Sequence, residues 1–229
     1  MLVLALDTAS AATSVAVGEV TPGDVEFPTP AVTPLAERSV VAANRHGELL
    51  APMISDVLAE AGAAPADLTG IVVGVGPGPF TGLRVGMMTG VALGQALGIE
   101  VTGGCSLDAV AFGADRPWDR EFAVLGDARR KEVYWARYGD DRRLTAPAVT
   151  RPADLDPADL PDVVVGAGAL LHRDALPAGL TVEEQAPYPS AAALLRLGLD
   201  PAWRLPVRPL YLRRPDAQPP ARPKAVTPA

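Results

Sequence analysis

The segment GVGPGPFTGLR, at residues 74–84, combines glycine and proline in a pattern that could bind an anion. Gly76 and Gly78 allow positive φ and close approach of the backbone, while two prolines stiffen the same turn. Thr81 is placed to cap a following helix, whose N-terminal N–H groups could then meet a phosphate. No Lys-Ser or Lys-Thr pair follows the glycines, so the segment is not a P-loop. A phosphate loop and a plain strand-to-helix connection are both compatible with it.

A second polar stretch follows the first apolar run of the chain. Asp7, Thr8 and Ser10 in LDTASAATSVAVG leave a predicted strand and enter a hairpin. A carboxylate there could hold a magnesium–phosphate group through water, or it could form an Asx turn. Asp127 follows another apolar run at the matching place in the second half of the chain. The two aspartates are therefore either phosphate-loop residues or turn residues.

The histidines and the cysteine do not indicate a catalytic site or a metal site. His46 and His172 are far apart, and no HxxxH, HExxH or CxxC spacing occurs. A zinc or iron site is not expected, and we assign no metal ligand. Cys105, the only cysteine, precedes SLDAVA and is predicted to be a small buried side chain. Because no GxSxG or other nucleophile motif is found, no catalytic residue is assigned.

The helix predicted after the glycine-proline turn carries a regular row of glycines. They recur every fourth residue, at Gly82, Gly86, Gly90 and Gly94. Three of them are interior, so the helix gives up roughly 3 kcal/mol of propensity relative to alanine. Residues four apart form a packing ridge, and a ridge without side chains lets another backbone approach closely. The row is expected either to pack inside the chain or to contact another subunit.

Composition and charge exclude several classes of protein. The chain has 229 residues and 48% hydrophobic residues, as expected for a globular protein. Its net charge of −7 indicates that it does not bind nucleic acid by itself. Six basic residues and one acidic residue nevertheless lie between residues 204 and 224, in a tail that is either solvated or touches phosphate. A single cysteine and no apolar run of about 18 residues predict a cytoplasmic protein without membrane contact.

Hydrophobic periodicity predicts an α/β chain whose pattern restarts in its second half. The predicted strands are 2–7, 13–18, 35–43, 71–75, 100–102, 122–127, 133–139 and 163–166, and the predicted helices are 49–61, 82–97, 107–111 and 190–198. Residues 21–34 contain four prolines and are predicted to be a loop insertion. A hairpin opening each half indicates two related lobes, at 1–116 and 117–215, the second one reduced, followed by a tail at 216–229.

Six segments in chain order resemble the TsaB (YeaZ) family. They are LVLALDTASAATSVAVG, RHGELLAPMISDVLAEAG, GVGPGPFTGLRVGMMTGVALGQALGI, CSLDAVA, LGDARRKEVYWARY and VRPLYLRRPDA. The resemblance covers most of the chain, and GPGPFTGLR with DARRKEVYW is quite specific. It implies a two-lobed actin-like, sugar-kinase-like (ASKHA) fold with a reduced second lobe. It also implies that Asp7, with Thr8, Gly76, Gly78 and Thr81, occupies the position of a nucleotide or phosphate loop.

The same resemblance implies an accessory role in forming threonylcarbamoyladenosine (t6A) in tRNAs that read ANN codons. TsaB-like proteins are regarded as scaffolds that dimerise with a catalytic TsaD-type subunit and join a TsaE-type ATPase. The implied partner surface lies on two helices and comprises Leu49, Leu50, Met53, Ile54, Val57, Gly82, Gly86, Gly90 and Gly94. The chain would then need no cofactor of its own, because ATP and magnesium would act in the complex. It would contact tRNA through the complex, and in isolation it could form a homodimer.

Three departures bear on a nucleotide site. Pro79 stands where the family usually has serine, which removes an N–H from the loop. The 21–34 insertion is longer than expected, and the second half is short for a full adenosine pocket, although VVGAGALLH at 164–172 loosely resembles the adenosine segment. An independent ATPase or small-molecule kinase is the alternative function. A peptidase is disfavoured because no nucleophile–base pair is found.

Overall fold

The first half of the chain builds one five-stranded sheet. A computed structural model describes residues 1–21, 31–114 and 118–213. The strands are β1 (Leu2–Asp7), β2 (Ala12–Thr21), β3 (Ala31–Val41), β4 (Gly70–Gly74) and β5 (Glu100–Gly104), in the order β3-β2-β1-β4-β5. β1 is antiparallel to β2 and parallel to β4. The predicted opening hairpin is confirmed.

The second sheet repeats that order with shorter strands. It contains β6 (Phe122–Asp127), β7 (Val133–Gly139), β8 (Arg142–Arg143), β9 (Ala148–Thr150), β10 (Val163–Val165) and β11 (Thr181–Val182). The order is β11-β10-β6-β7-β8, with β9 also paired to β7. β6 is antiparallel to β7 and parallel to β10, as β1 is to β2 and β4. The predicted actin-like α/β fold with two related halves is confirmed.

Helices cover both sheets, and the second half has the shorter ones. The described residues form α1 (His46–Glu60), α2 (Phe80–Leu97), α3 (Ser106–Gly113), α4 (Ala167–Leu171) and α5 (Ala191–Leu197), with 3-10 turns at Pro65–Asp67, Pro152–Asp154, Pro157–Asp159 and Arg173–Ala175. α2 follows β4 and has 18 residues, whereas α4 follows β10 and has five. The second half is therefore reduced, as expected.

Alternation along the strands divides the core of the first sheet. Leu4 and Leu6 of β1 face a cluster that includes α1 and α2, and both are fully buried. Val3 and Ala5 face the opposite cluster, which contains residues of α3 and α5. Side chains two apart on a strand share a face, so one apolar run supplies both layers.

The end of the chain crosses back to the first sheet. α5 packs on β1 and β2, and Leu205 exchanges two backbone hydrogen bonds of 2.8 Å with Gly103 of β5. α5 thus belongs with the first sheet, although the predicted second unit, 117–215, contains it. The predicted boundary at 116 and the tail at 216–229 lie outside the described residues.

Two local predictions need correction. Residues 31–34, predicted as loop, belong to β3, where Pro34 lies opposite a register shift at Val17/Gly18 on an edge strand that tolerates proline. α2 begins at Phe80 with Pro79 as its N-cap, so Thr81 is an exposed residue of the first turn and not the cap. Within the described residues, no helix combines the length and the apolar character needed to cross a bilayer.

Candidate functional site

Asp7 lies at the C-terminal end of β1, and its carboxylate is fully engaged by the chain itself. The Ser106 hydroxyl donates to Oδ2 at 2.6 Å, and the Ala9 N–H donates to Oδ1 at 2.8 Å. A Cβ on Gly74 of the neighbouring strand would lie 1.9 Å from Oδ2. Glycine at position 74 therefore leaves the space that this carboxylate fills.

Burial changes the titration of this carboxyl. Asp7 is 1% exposed, and burial raises its pKa from 3.8 to about 6 against the opposing hydrogen bonds from Ser106 and Ala9. The folded chain holds the proton more tightly than the unfolded chain does. The carboxyl thus contributes stability at low pH that is lost as the pH rises through about 6.

Replacing Asp7 with asparagine is expected to remove this pH dependence. Between about pH 5 and pH 8, wild type should lose about 1.4 kcal/mol of its free energy of unfolding through this carboxyl, and Asp7→Asn should not. Ser106→Ala, which removes a hydrogen bond that lowers the pKa, should enlarge the pH dependence. Urea denaturation at both pH values measures the difference, and an unchanged difference would contradict the raised pKa.

Thr8 joins the end of β1 to the first turns of α2. Its hydroxyl donates to the Gly82 carbonyl at 2.7 Å and accepts from the Gly86 N–H at 2.9 Å. The hydroxyl is buried and has a partner in each direction. Thr8, predicted as a phosphate-loop residue, is thus occupied in holding α2 against the sheet.

The glycine-proline turn packs directly on the residues that follow β1. Gly76 has a φ of 93°, and its N–H donates to the Ser106 hydroxyl at 3.2 Å. A Cβ on Gly78 would lie 2.2 Å from the Ala9 carbonyl oxygen, so only glycine allows this approach. Of the predicted loop residues, Gly76 and Gly78 therefore lie beside the turn that follows Asp7 and contact the chain itself, whereas Thr81 is exposed.

A cavity of about 130 Å³ lies between these turns and the second sheet. Asp127, Arg129 and Tyr134 border it from the second half, opposite Ser10 and Pro79. Asp127 accepts from the Arg129 N–H at 2.8 Å, the same Asx turn that Asp7 makes with Ala9. Pockets for drug-sized ligands usually measure about 300–1,000 Å³, so this cavity is small for a nucleotide.

The glycine row of α2 faces the chain's own sheet. A Cβ on Gly86 would meet the Thr8 hydroxyl at 2.5 Å, and one on Gly90 would meet Val73 at 2.3 Å. Gly82 and Gly94 are buried in the same way, against Thr8 and Val101. We therefore correct the assignment of the four glycines to the partner surface, because their row is covered by the strands beneath it.

The predicted partner residues of α1 divide in a similar way. Leu50, Met53 and Val57 are at most 5% exposed and belong to the core beneath α1, whereas Leu49 and Ile54 are half-buried. The buried three are corrected to core residues. Helical spacing marks an apolar stripe without saying whether the core or a partner covers it.

The outward faces of α1 and α2 carry other residues. On α1 they are Ala51, Pro52, Ser55, Asp56, Ala59 and Glu60, and on α2 they are Phe80, Thr81, Arg84, Met88, Ala92, Gln95 and Ala96. Both helices belong to one core cluster on the same side of the first sheet. We refer to the eleven of these residues other than Phe80 and Arg84, which contact Tyr211 instead, as the α1/α2 outer face.

A buried cluster of charged residues between the sheets was not predicted from the sequence. Arg143 donates to both oxygens of Asp108 at 2.8 and 2.9 Å, and the Tyr138 hydroxyl donates to the same carboxylate at 2.8 Å. Burial raises the pKa of Asp108 and of the Cys105 thiol beside it, which is fully buried as predicted. No signal in the sequence pairs residues that lie 35 positions apart.

His46 is buried at the start of α1. His46 is the first residue of α1, and its Nδ1 lies 2.8 Å from the Thr13 hydroxyl. Burial, followed by the charge of Arg129, lowers the pKa of His46. In the part of the chain that the structure describes, no group of three or more His, Cys, Asp or Glu side chains is placed to hold a metal ion.

Comparison with known proteins identifies the family. The model of the family described as "TsaD: tRNA N6-adenosine threonylcarbamoyltransferase" matches residues 40–168, more than half of the chain. YeaZ from Pseudomonas aeruginosa superimposes with a TM-score of 0.72 at 28% identity, over 92% of this chain and 99% of that one. The chain is a TsaB-like member of the TsaD family.

Sequence comparison adds two relatives, one of which carries the TsaB name. The TsaB-like chain is 36% identical over 145 residues to the tRNA threonylcarbamoyladenosine biosynthesis protein TsaB of Escherichia coli, covering 62% of this chain. It is 47% identical over 221 residues to an uncharacterized protein of Mycobacterium leprae, covering 95% of this chain. The chain spans 56% of the length of each of these two relatives.

Proposed function

We propose that this TsaB-like chain is a non-catalytic accessory subunit in t6A formation on the anticodon-loop adenosine of tRNAs that read ANN codons. It acts by dimerising with a catalytic TsaD-type subunit. The proposal rests on membership of the TsaD family and on the pathway named for its E. coli relative.

The observation that carries the docking role is the α1/α2 outer face. The α2 part of this face carries no charged residue, and Met88 at its middle is 54% exposed. Small residues on both helices permit close approach of a partner helix. Centres of protein interfaces are poor in charge and rich in methionine, which the α2 part of this face matches, while its charged residues, Asp56 and Glu60, lie on α1.

The turns around Asp7 favour an accessory role over an independent ATPase or kinase. Asp7 and Thr8 are hydrogen-bonded within the chain, and Gly78 is packed on Ala9. A magnesium–phosphate group would have to displace these contacts inside a cavity of about 130 Å³. Binding of ATP and magnesium is accordingly assigned to the assembled complex, which would include a TsaE-type ATPase and tRNA.

The test is capture of the full chain by a tagged TsaD-type protein from the same organism. Met88→Glu places a charge at the middle of the outer face and is expected to weaken capture at least tenfold, since interface anchors contribute about 2 kcal/mol or more. Leu171→Glu is the matched control, because Leu171 is 63% exposed on α4 of the second half. Circular dichroism checks that both variants fold.

Capture of Met88→Glu at the wild-type level would contradict the docking surface. Loss of capture by Leu171→Glu alone would move the interface to the second half. A homodimer through the same face is the alternative for the isolated chain, and sedimentation of wild type and Met88→Glu distinguishes it from a monomer.

A further inference from the structure

An exposed aromatic and arginine cluster lies at the start of α2. The rings of Phe80 and Tyr211 stack with centroids 5.3 Å apart, and they are 52% and 40% exposed. Arg84 completes the cluster, with its guanidinium carbon 3.9 Å from the Phe80 centroid and its Nε donating to the Tyr211 hydroxyl at 3.0 Å. Apolar side chains that are grouped on the surface and rimmed by polar residues mark interaction sites.

Tyr211 is brought to α2 by the last described segment of the chain. Leu210 donates its N–H to Val75 at 2.8 Å, and Leu205 is paired with Gly103. Beyond Tyr211, Arg213 donates to the Ala128 carbonyl at 2.8 Å and lies 2.9 Å from a Glu132 carboxylate oxygen. The segment therefore ties the start of α2 to the β6–β7 turn.

The β6–β7 turn is cationic and adopts an unfavourable backbone. Arg129, Arg130 and Lys131 are all exposed, with φ of 62°, 52° and 60°. Left-handed backbone costs roughly 1–2 kcal/mol for each non-glycine residue, and glycine or asparagine would relieve it. Arg129 lies 3.7 Å from the Asp127 carboxylate, whereas among the described residues no carboxylate lies within ion-pair distance of Lys131, which is therefore the cation of the turn that faces an external partner.

The turn and the aromatic cluster are neighbours. Arg129 and Pro79, the residue before Phe80, border the same cavity. Arg213, which is paired with Glu132, lies between the turn and Tyr211. Aromatic rings and cations are thus concentrated on one surface of a chain whose net charge is −7. We name the surface formed by Phe80, Arg84, Lys131, Tyr211 and Arg129 the aromatic-basic patch.

We infer that the aromatic-basic patch binds the unpaired loop of an RNA, stacking a base on the aromatic cluster and placing phosphates on the β6–β7 turn. Single-stranded RNA is recognised by such stacking on aromatic and arginine planes, with cations along the backbone. Paired RNA offers no free base face to Phe80 or Tyr211. The inference deepens the proposed function, on which it rests, by assigning this chain its own contact with the tRNA.

The test measures binding of fluorescent RNA to the full chain by anisotropy. The probe is a hairpin RNA with an unpaired loop, and a fully paired RNA of equal length is the comparator. Wild type is expected to prefer the hairpin at about 50 mM salt. Tyr211→Ala should weaken hairpin binding about 5- to 100-fold, the range for loss of one stacked base. Lys131→Ala should lower the slope of log affinity against log salt by about 0.7–1.

Two controls separate the patch from general effects. Arg142→Ala removes an exposed cation on β8, and Leu35→Ala removes an apolar side chain that is 40% exposed on β3. Leu35 is the apolar control in place of Leu171, because Leu171 borders the cavity beside the patch. Both variants should bind the hairpin as wild type does. Equal hairpin affinity for Tyr211→Ala, equal binding of hairpin and paired RNA, or no hairpin binding at about 50 mM salt would each overturn the inference.

Capture by the TsaD-type protein is measured in parallel. If Tyr211→Ala abolishes capture while RNA binding is unchanged, the patch is a protein contact and the inference fails. If Met88→Glu is captured normally while Tyr211→Ala loses RNA binding, the docking proposal fails and the RNA contact stands. The two failures are therefore distinguishable.

Discussion

Gly78→Ala is expected to destabilise the chain by about 3 kcal/mol, the upper part of the usual range for overpacking. The added Cβ would lie 2.2 Å from the Ala9 carbonyl oxygen and 2.8 Å from its Cα. Both atoms belong to backbone that is anchored by the Asp7 hydrogen bond, so no flexible side chain can move aside. Separation of the two turns would also disturb the base of α2.

Gly47→Ala is the matched control for this substitution. Gly47 lies in the first turn of α1, and nothing comes within 4 Å of the position its Cβ would occupy. It should be neutral or stabilising by up to about 1 kcal/mol, because alanine has the higher helix propensity. Urea denaturation of both variants measures the contrast. Equal effects of the two substitutions would contradict the close contact between the turns.

Arg143→Ala is expected to destabilise the chain by about 3–5 kcal/mol, because it leaves the Asp108 carboxylate buried without its cation. The Asp108 side chain is 2% exposed, and the donors that would remain, the Tyr138 hydroxyl and the Cys105 thiol, are uncharged. Since burial already raises the pKa of Asp108, the carboxyl of the variant should take up a proton at low pH. The loss of stability should therefore be smaller at about pH 5 than at pH 8.

Neighbouring and compensating variants make this prediction specific. Arg142→Ala removes the adjacent exposed arginine and should change the free energy of unfolding by less than about 0.5 kcal/mol. Adding Asp108→Asn to Arg143→Ala should recover part of the loss, because the unpaired charge is gone. Denaturation at both pH values measures wild type, Arg142→Ala, Arg143→Ala, Asp108→Asn and the double variant. A double variant as unstable as the sum of the two single variants would contradict a buried ion pair.

The order of strands and helices was accessible from the sequence because burial imposes a period. LVLALD is apolar throughout and forms β1, buried on both faces, while VYWARYG alternates and forms β7. The repeated pattern of strand, aspartate and short turn located both hairpins and the two aspartates, and the structure shows that each aspartate forms an Asx turn. Local chemistry and period together were sufficient for these elements.

Which face of a helix is covered by the chain itself was not accessible in this way. Leu50 and Met53 stand at helical spacing whether the core or a partner buries them. Glycine carries no side chain, so the row from Gly82 to Gly94 leaves no amphipathic mark. The structure shows that the sheet covers this face of α2, because Val73 and Val101 of the sheet occupy the space next to Gly90 and Gly94.

Side chains that meet across the fold were also hidden. Ser106 binds a carboxylate 99 positions away, and Tyr211 reaches Arg84 over 127 positions. In the sequence each is an ordinary polar or aromatic residue. Ser106 begins α3 directly after β5, and β5 is parallel to β4, which is itself parallel to β1. This position after a strand parallel to β1 was the signal for Ser106. For Tyr211 the sequence offered no comparable signal.

The central claim is that the chain takes part in t6A formation as a docked, non-catalytic subunit. The most direct measurement is the t6A content of bulk tRNA, by mass spectrometry of nucleosides, after the protein is depleted from its own organism. The account predicts that t6A falls and is restored by wild type and by Leu171→Glu but not by Met88→Glu. Unchanged t6A after depletion, or full restoration by Met88→Glu, would contradict it.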